Sequence, residues 1–106
     1  MAWIDLLFAG LLETVWALLM KKSAGLTRPL PAVLTLAAMA ASVWLLSRAM
    51  RSLPLGTAYG VWTGIGAAGA FAAGVLVLGE AASPSRFLAG TMIVAGVVIL
   101  AVTETG

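Results

Sequence analysis

The stretch Gly10-Leu11-Leu12-Glu13-Thr14-Val15-Trp16-Ala17 sets one carboxylate in the middle of a run otherwise apolar enough to enter a membrane. An acid at bilayer depth costs at least about 2.5 kcal/mol on insertion scales, so it normally faces a partner, a cavity or a substrate. Glu13 is therefore the first candidate functional residue. Working outward, apolar runs cover residues 3–20, 31–50, 54–78 and 86–103. Each is long enough to cross a bilayer as a helix, which takes roughly 17–25 residues.

The composition agrees. Of 106 residues, 62% are hydrophobic and 9% charged, with a mean hydropathy of +1.11. A soluble chain this short leaves too much surface outside to hide such a composition. The expected fold is an all-α membrane protein with four transmembrane helices, residues 1–106 forming one domain with short loops. The N-terminus lacks a basic region and carries Asp5 and Glu13 where a signal peptide is uninterruptedly apolar, so it reads as part of the mature protein.

The formal charge is +2, but the six basic residues stand singly or in pairs at the ends of apolar runs, as interfacial anchors do. No basic stripe for nucleic acid is present. Cysteine and histidine are absent, which removes thiolate ligands and the commonest general base. With no nucleophile–base pair, metal cluster or phosphate loop, neither an enzyme nor a cofactor is expected.

Lys21, Lys22, Arg28 and Arg86 give four cations on one side of the membrane; Arg48, Arg51 and the terminal amine give three on the other. A bias of one charge is too small to fix orientation, which leaves insertion both ways and one fixed topology set by other features equally open.

Glu13 shares a helix face with Trp16, Ala17, Gly10 and Ala9. A Trp beside an acid in mid-membrane suits either a cavity wall that stacks on a cation or plain helix packing, with the cavity wall preferred. Asp5 lies near the helix start, where a carboxylate favours the N-terminal dipole. On the second run Met39 and Ser42 share a face; Ser42 either donates across to the acid or bonds its own backbone. On the third, Tyr59, Trp62, Thr63 and Gly66 form a stripe, and the hydroxyl and indole NH need partners in hydrocarbon. Gly56, Gly60 and Gly64 make overlapping GxxxG steps for close helix contact. Ser83 or Ser85 is placed to cap the fourth run, and Glu80 is expected to be solvated. From Phe87 on, that run has no ionisable residue before Glu104 and has the profile of an association helix.

One copy offers one such acid and little enclosed space. Two copies inserted oppositely give the inverted repeat on which many transporters are built, with two Glu13 side chains in one midplane cavity. Competition between protons and a cation for those carboxylates is the minimal machinery of an antiporter.

From end to end, the chain resembles the small multidrug resistance family. The markers are its length, its four helices, the acid in Gly-x-x-Glu-x-x-Trp-Ala at residues 10–17, and the Gly-Thr-Ala-Tyr-Gly-Val-Trp-Thr-Gly-Ile-Gly run at residues 56–66. Trp16, Met39 and Trp62-Thr63-Gly64 look like the branch that exports guanidinium. The resemblance implies a proton-coupled antiporter in a bacterial inner membrane, assembled as an antiparallel, dual-topology homodimer. It implies that Glu13 binds both substrate and protons. Trp16, Ser42, Tyr59 and Trp62 then line and orient the site, with Gly10, Met39, Gly60 and Thr63 at the cavity or its portal. Thr14 and Gly60 depart from the family pattern, which usually has a branched aliphatic residue and Ala there; a smaller residue at Gly60 would loosen the cavity or portal. The competing expectations are a quaternary-ammonium or polyaromatic cation exporter of the same fold, and a non-transporting or heterodimeric membrane subunit.

Overall fold

In the computed structural model, which describes residues 2–103, four helices run in the order α1 Ala2–Lys22, α2 Pro29–Ala49, α3 Leu55–Leu76 and α4 Pro84–Thr103. All four are long and apolar enough to cross a membrane. Glu104 lies outside the described residues. The boundaries follow local chemistry. Pro29 and Pro84 occupy first helical positions, where the missing N–H is no loss, so α2 and α4 start two residues earlier than the apolar runs suggest. Ser83 caps α4 by accepting the Arg86 N–H at 3.3 Å. The third helix stops at Leu76, and three residues on Gly79 takes φ +70°. Lys21 and Lys22 extend α1 through its last turn, where cations favour the helix dipole.

Loop one contains a short left-handed passage, with φ of 52° at Ala24, 73° at Gly25 and 68° at Leu26. Non-glycine residues there pay roughly 1–2 kcal/mol each. Buried Ser23 offsets this by accepting the Leu26 N–H at 2.8 Å and donating to the Met20 carbonyl at 2.6 Å.

The helices form a slab rather than a closed bundle. α1 packs against both α2 and α3, whereas α4 packs on α3 alone. The shape measures 43 × 34 × 16 Å, little thicker than a single helix of about 10–12 Å. The buried apolar residues, Leu6 and Ala9 of α1, Leu46 and Ala49 of α2, and Ala58, Val61 and Trp62 of α3, all lie in the half of the slab that holds the start of α1, from its end to the middle. The Asp5–Arg48 ion pair, at 3.7 Å, closes that same end, so Asp5 has a side-chain partner besides the helix dipole. Much of the rest is outward-facing Leu, Val, Ile and Phe, which lipid solvates at no hydrophobic cost. α4 has no buried residue.

Glycine makes the close contacts. A Cβ at Gly10 would lie 2.6 Å from the Cβ of Ile65 on α3, and one at Gly64 would overlap Val97 of α4. Contrary to the sequence expectation, Glu80 is not simply solvated: its carboxylate rests over Gly74 and pairs with Arg86 at 3.6 Å. The short loop folds back so that the Glu80 N–H donates to the Gly74 carbonyl at 2.9 Å, carrying the side chain onto the end of α3.

Candidate functional site

Two polar groups occupy adjacent turns in the middle of the slab. The first joins three helices. Ser42 of α2 is fully buried; its hydroxyl donates to the Ala9 carbonyl of α1 at 2.7 Å and accepts from Trp62 Nε1 of α3 at 3.0 Å. The Trp62 ring meets Tyr59, one turn earlier on α3, with centroids 5.5 Å apart at 58°. Ser42 therefore follows neither course weighed from sequence. It bonds a neighbouring helix's backbone, because α1 and α2 pack closely enough at Ala9 to bring that carbonyl within reach.

The second group is Glu13 and Trp16. Glu13 is the twelfth of the 21 residues of α1, close to mid-depth. The Oε1 atom of Glu13 and the Nε1 atom of Trp16 are both buried and have no hydrogen-bond partner among the described residues. The Glu13 carboxyl rests against Gly66 of α3, where any Cβ would overlap it. Beyond Trp16, toward loop one, an open cavity of about 470 Å³ is lined by Trp16, Ala17, Met20, Lys21, Ala24 and Gly25.

The structure thus brings Ser42, Tyr59 and Trp62 together and sets Glu13 and Trp16 one turn of α1 away. Met39 is half-buried, and Thr63 is exposed on the outer side of α3. Gly10 and Gly60 serve helix contacts: Gly10 faces Ile65, and a Cβ on Gly60 would sit 3.0 Å from Leu100 Cδ1 of α4. The contact with Leu100 places Gly60 in the α3–α4 seam. The sequence reading missed three participants. The Ala9 carbonyl carries no side-chain signal. Gly66 was visible as the small residue on the stripe with Tyr59 and Trp62, but not as the seat of the acid. Thr14, whose Oγ1 lies 3.3 Å from the Gly10 carbonyl and 3.4 Å from that of Gly66, was visible only as an unusual neighbour.

A buried donor and a buried acceptor thus lie at mid-depth in a chain whose four helices are all long and apolar enough to cross a membrane. The family model for Small Multidrug Resistance protein matches residues 1–94. A guanidinium exporter from Citrobacter freundii is 58% identical over 98 residues, covering 92% of this chain and 93% of the relative. A guanidinium exporter from Salmonella typhimurium matches to the same extent, and one from Yersinia pseudotuberculosis is 56% identical over 98 residues, 92% of this chain and 94% of its own length. The chain belongs to the small multidrug resistance family, a family of transporters, and is a multi-pass protein of the bacterial inner membrane.

Proposed function

We infer that the protein is an antiporter that exports guanidinium, and small substituted guanidinium ions, in exchange for protons. The observation that carries this reading is the Glu13 carboxyl, buried at mid-depth with an oxygen that no described residue engages. Guanidinium is planar and offers N–H groups in forks that match a carboxylate bidentately. The Trp16 face stands one helical turn away for a cation–π contact. When no cation is bound, protons neutralise the acid, which avoids a bare charge in hydrocarbon. Cation and proton then exclude one another from the same oxygens, and this exclusion is the coupling.

The working unit in this reading is an antiparallel homodimer in which each chain contributes residues 1–106 as one four-helix domain. A loop-charge difference of one supports insertion in both orientations. The 16 Å slab, too thin to enclose a solute by itself, supports a second copy. The Glu13 side chains of the two copies then face one midplane cavity, the usual place for a site at an inverted repeat.

The test is uptake by purified protein in liposomes under an imposed proton gradient, across guanidinium, methylguanidinium and tetraalkylammonium, with Glu13→Gln as control. Guanidinium uptake that follows the gradient and disappears in the control is expected. A preference for tetraalkylammonium, which lacks N–H donors, would replace this reading with multidrug export. Cation release that is indifferent to pH would remove the antiport.

A further inference from the structure

Thr14 adjoins Glu13 in sequence and takes no part in the cation chemistry above. A hydroxyl has one proton to give, and here two carbonyls compete for it: Gly10 on the same helix at 3.3 Å and Gly66 on α3 at 3.4 Å. α3 is shaped for this side chain. A Cβ at Gly69 would overlap Thr14 Oγ1 and lie 3.0 Å from its Cβ and Cγ2. Gly66, whose carbonyl is the interhelical acceptor, is also the residue against which the Glu13 carboxyl rests. Acid and hydroxyl, adjacent on α1, therefore grip the same turn of α3.

The geometry points to Thr14 as a positioning residue, whose hydroxyl ties α1 to α3 at Gly66 and releases that tie by turning its hydrogen bond to the Gly10 carbonyl. In hydrocarbon, parting two hydrogen-bonded helices ordinarily strands a donor without water to receive it. Thr14 limits that penalty to the loss of the interhelical bond itself, because the alternative acceptor, one turn back on its own helix, is as near as the first and its donor is never left bare. The tie holds one end state and is absent while the helices slide, so it sets the rate of exchange between states more than the affinity for cation. The transport consequence rests on the antiport reading; the contact itself does not.

Thr14→Val keeps the shape and removes the proton, whereas Thr14→Ser keeps the proton and removes a methyl. Turnover of Thr14→Val at saturating guanidinium is expected to rise about threefold with KM little changed, the factor set by losing a weak interhelical hydrogen bond in a membrane. Thr14→Ser should transport as the unaltered protein does. A packing role alone predicts the reverse ranking, and unchanged or slower turnover in Thr14→Val overturns the tie. If the unaltered protein carries no guanidinium, the antiport reading fails, and the contact is still decided by thermal unfolding in detergent. Gly69→Ala alone should lower the midpoint, and adding Thr14→Ala should raise it again. Additive losses from the two substitutions would overturn the contact.

Discussion

The Ser42–Trp62 group, anchored at the Ala9 carbonyl, and the Glu13–Trp16 group meet α1 one turn apart yet follow opposite rules. In the first, the indole NH and the hydroxyl both have partners, and three helices are joined through one oxygen. In the second, an indole NH and a carboxyl oxygen are buried with no partner among the described residues. Polar groups in hydrocarbon are expensive unless paired. Paired groups hold helices in register, and unpaired ones keep hydrogen-bonding capacity for something that arrives. In the proposed antiporter the contrast separates what holds the site from what does its chemistry, and substitutions on the two sides should fail differently.

The largest effect is expected from Glu13→Gln. It should reduce uptake to the level of protein-free liposomes while the thermal midpoint in detergent stays the same or rises, because no hydrogen bond is broken and a buried ionisable group is removed. A fall in midpoint together with activity would assign Glu13 to the structural side and break the comparison. Gly66→Ala comes next. The added Cβ drives into the Glu13 carboxyl and forces it to turn, at a cost of about 1–3 kcal/mol that translates into a loss of uptake of roughly tenfold. Gly64→Ala is its control, since it presses on Val97 of α4 and leaves the acid alone. Equal losses in the two would show that α3 packing, and not the seat of the acid, is being read.

This division was only half legible in the sequence. The four spans were visible, because runs of 18 or more apolar residues in a short chain leave few alternatives. Glu13 was visible because charge is rare at that depth. Trp62 was expected to need a partner, but its choice of Ser42 depends on α2 lying against α1 at Ala9, which no side-chain periodicity encodes. Asp5 and Glu80 illustrate the same limit: Asp5 meets Arg48 of α2, and Glu80, in a loop that folds back onto α3, meets Arg86 of α4. The slab was also not legible. Small residues at Gly56, Gly60 and Gly64 announce close contacts, but not that α3 turns Gly60 and Gly64 to α4, leaves Gly56 in open space and gives Gly66 and Gly69 to α1. Periodicity reports which face is special; helix pairing decides what that face meets.

Ser42→Ala tests the paired side. It strands Trp62 Nε1 and removes a bond to the Ala9 carbonyl, so unfolding in detergent should be easier by about 1–2 kcal/mol. Guanidinium uptake per folded molecule should fall less than in Gly66→Ala, because the acid and its seat are untouched. A loss of uptake as complete as that of Glu13→Gln, with no change in midpoint, would mean that the hydroxyl serves the cation directly.

The smallest effect separates a ring from its hydroxyl. The Tyr59 ring packs against Trp62, but Tyr59 is half exposed at the surface of α3, unlike the fully buried Ser42. Tyr59→Phe keeps the ring contact and changes only the exposed oxygen. Its unfolding free energy should therefore move by no more than about 0.5 kcal/mol, the usual range for surface substitutions away from special contacts. Tyr59→Ala also removes the aromatic pair, worth about 0.5–1.5 kcal/mol beyond area burial, and should be measurably less stable. A loss above about 1 kcal/mol in Tyr59→Phe would place the hydroxyl among the paired groups and extend the structural side across the face of α3. A stability within the expected range, combined with a shift in guanidinium KM, would place that hydroxyl with Glu13 and Trp16, among the groups kept available for the cation.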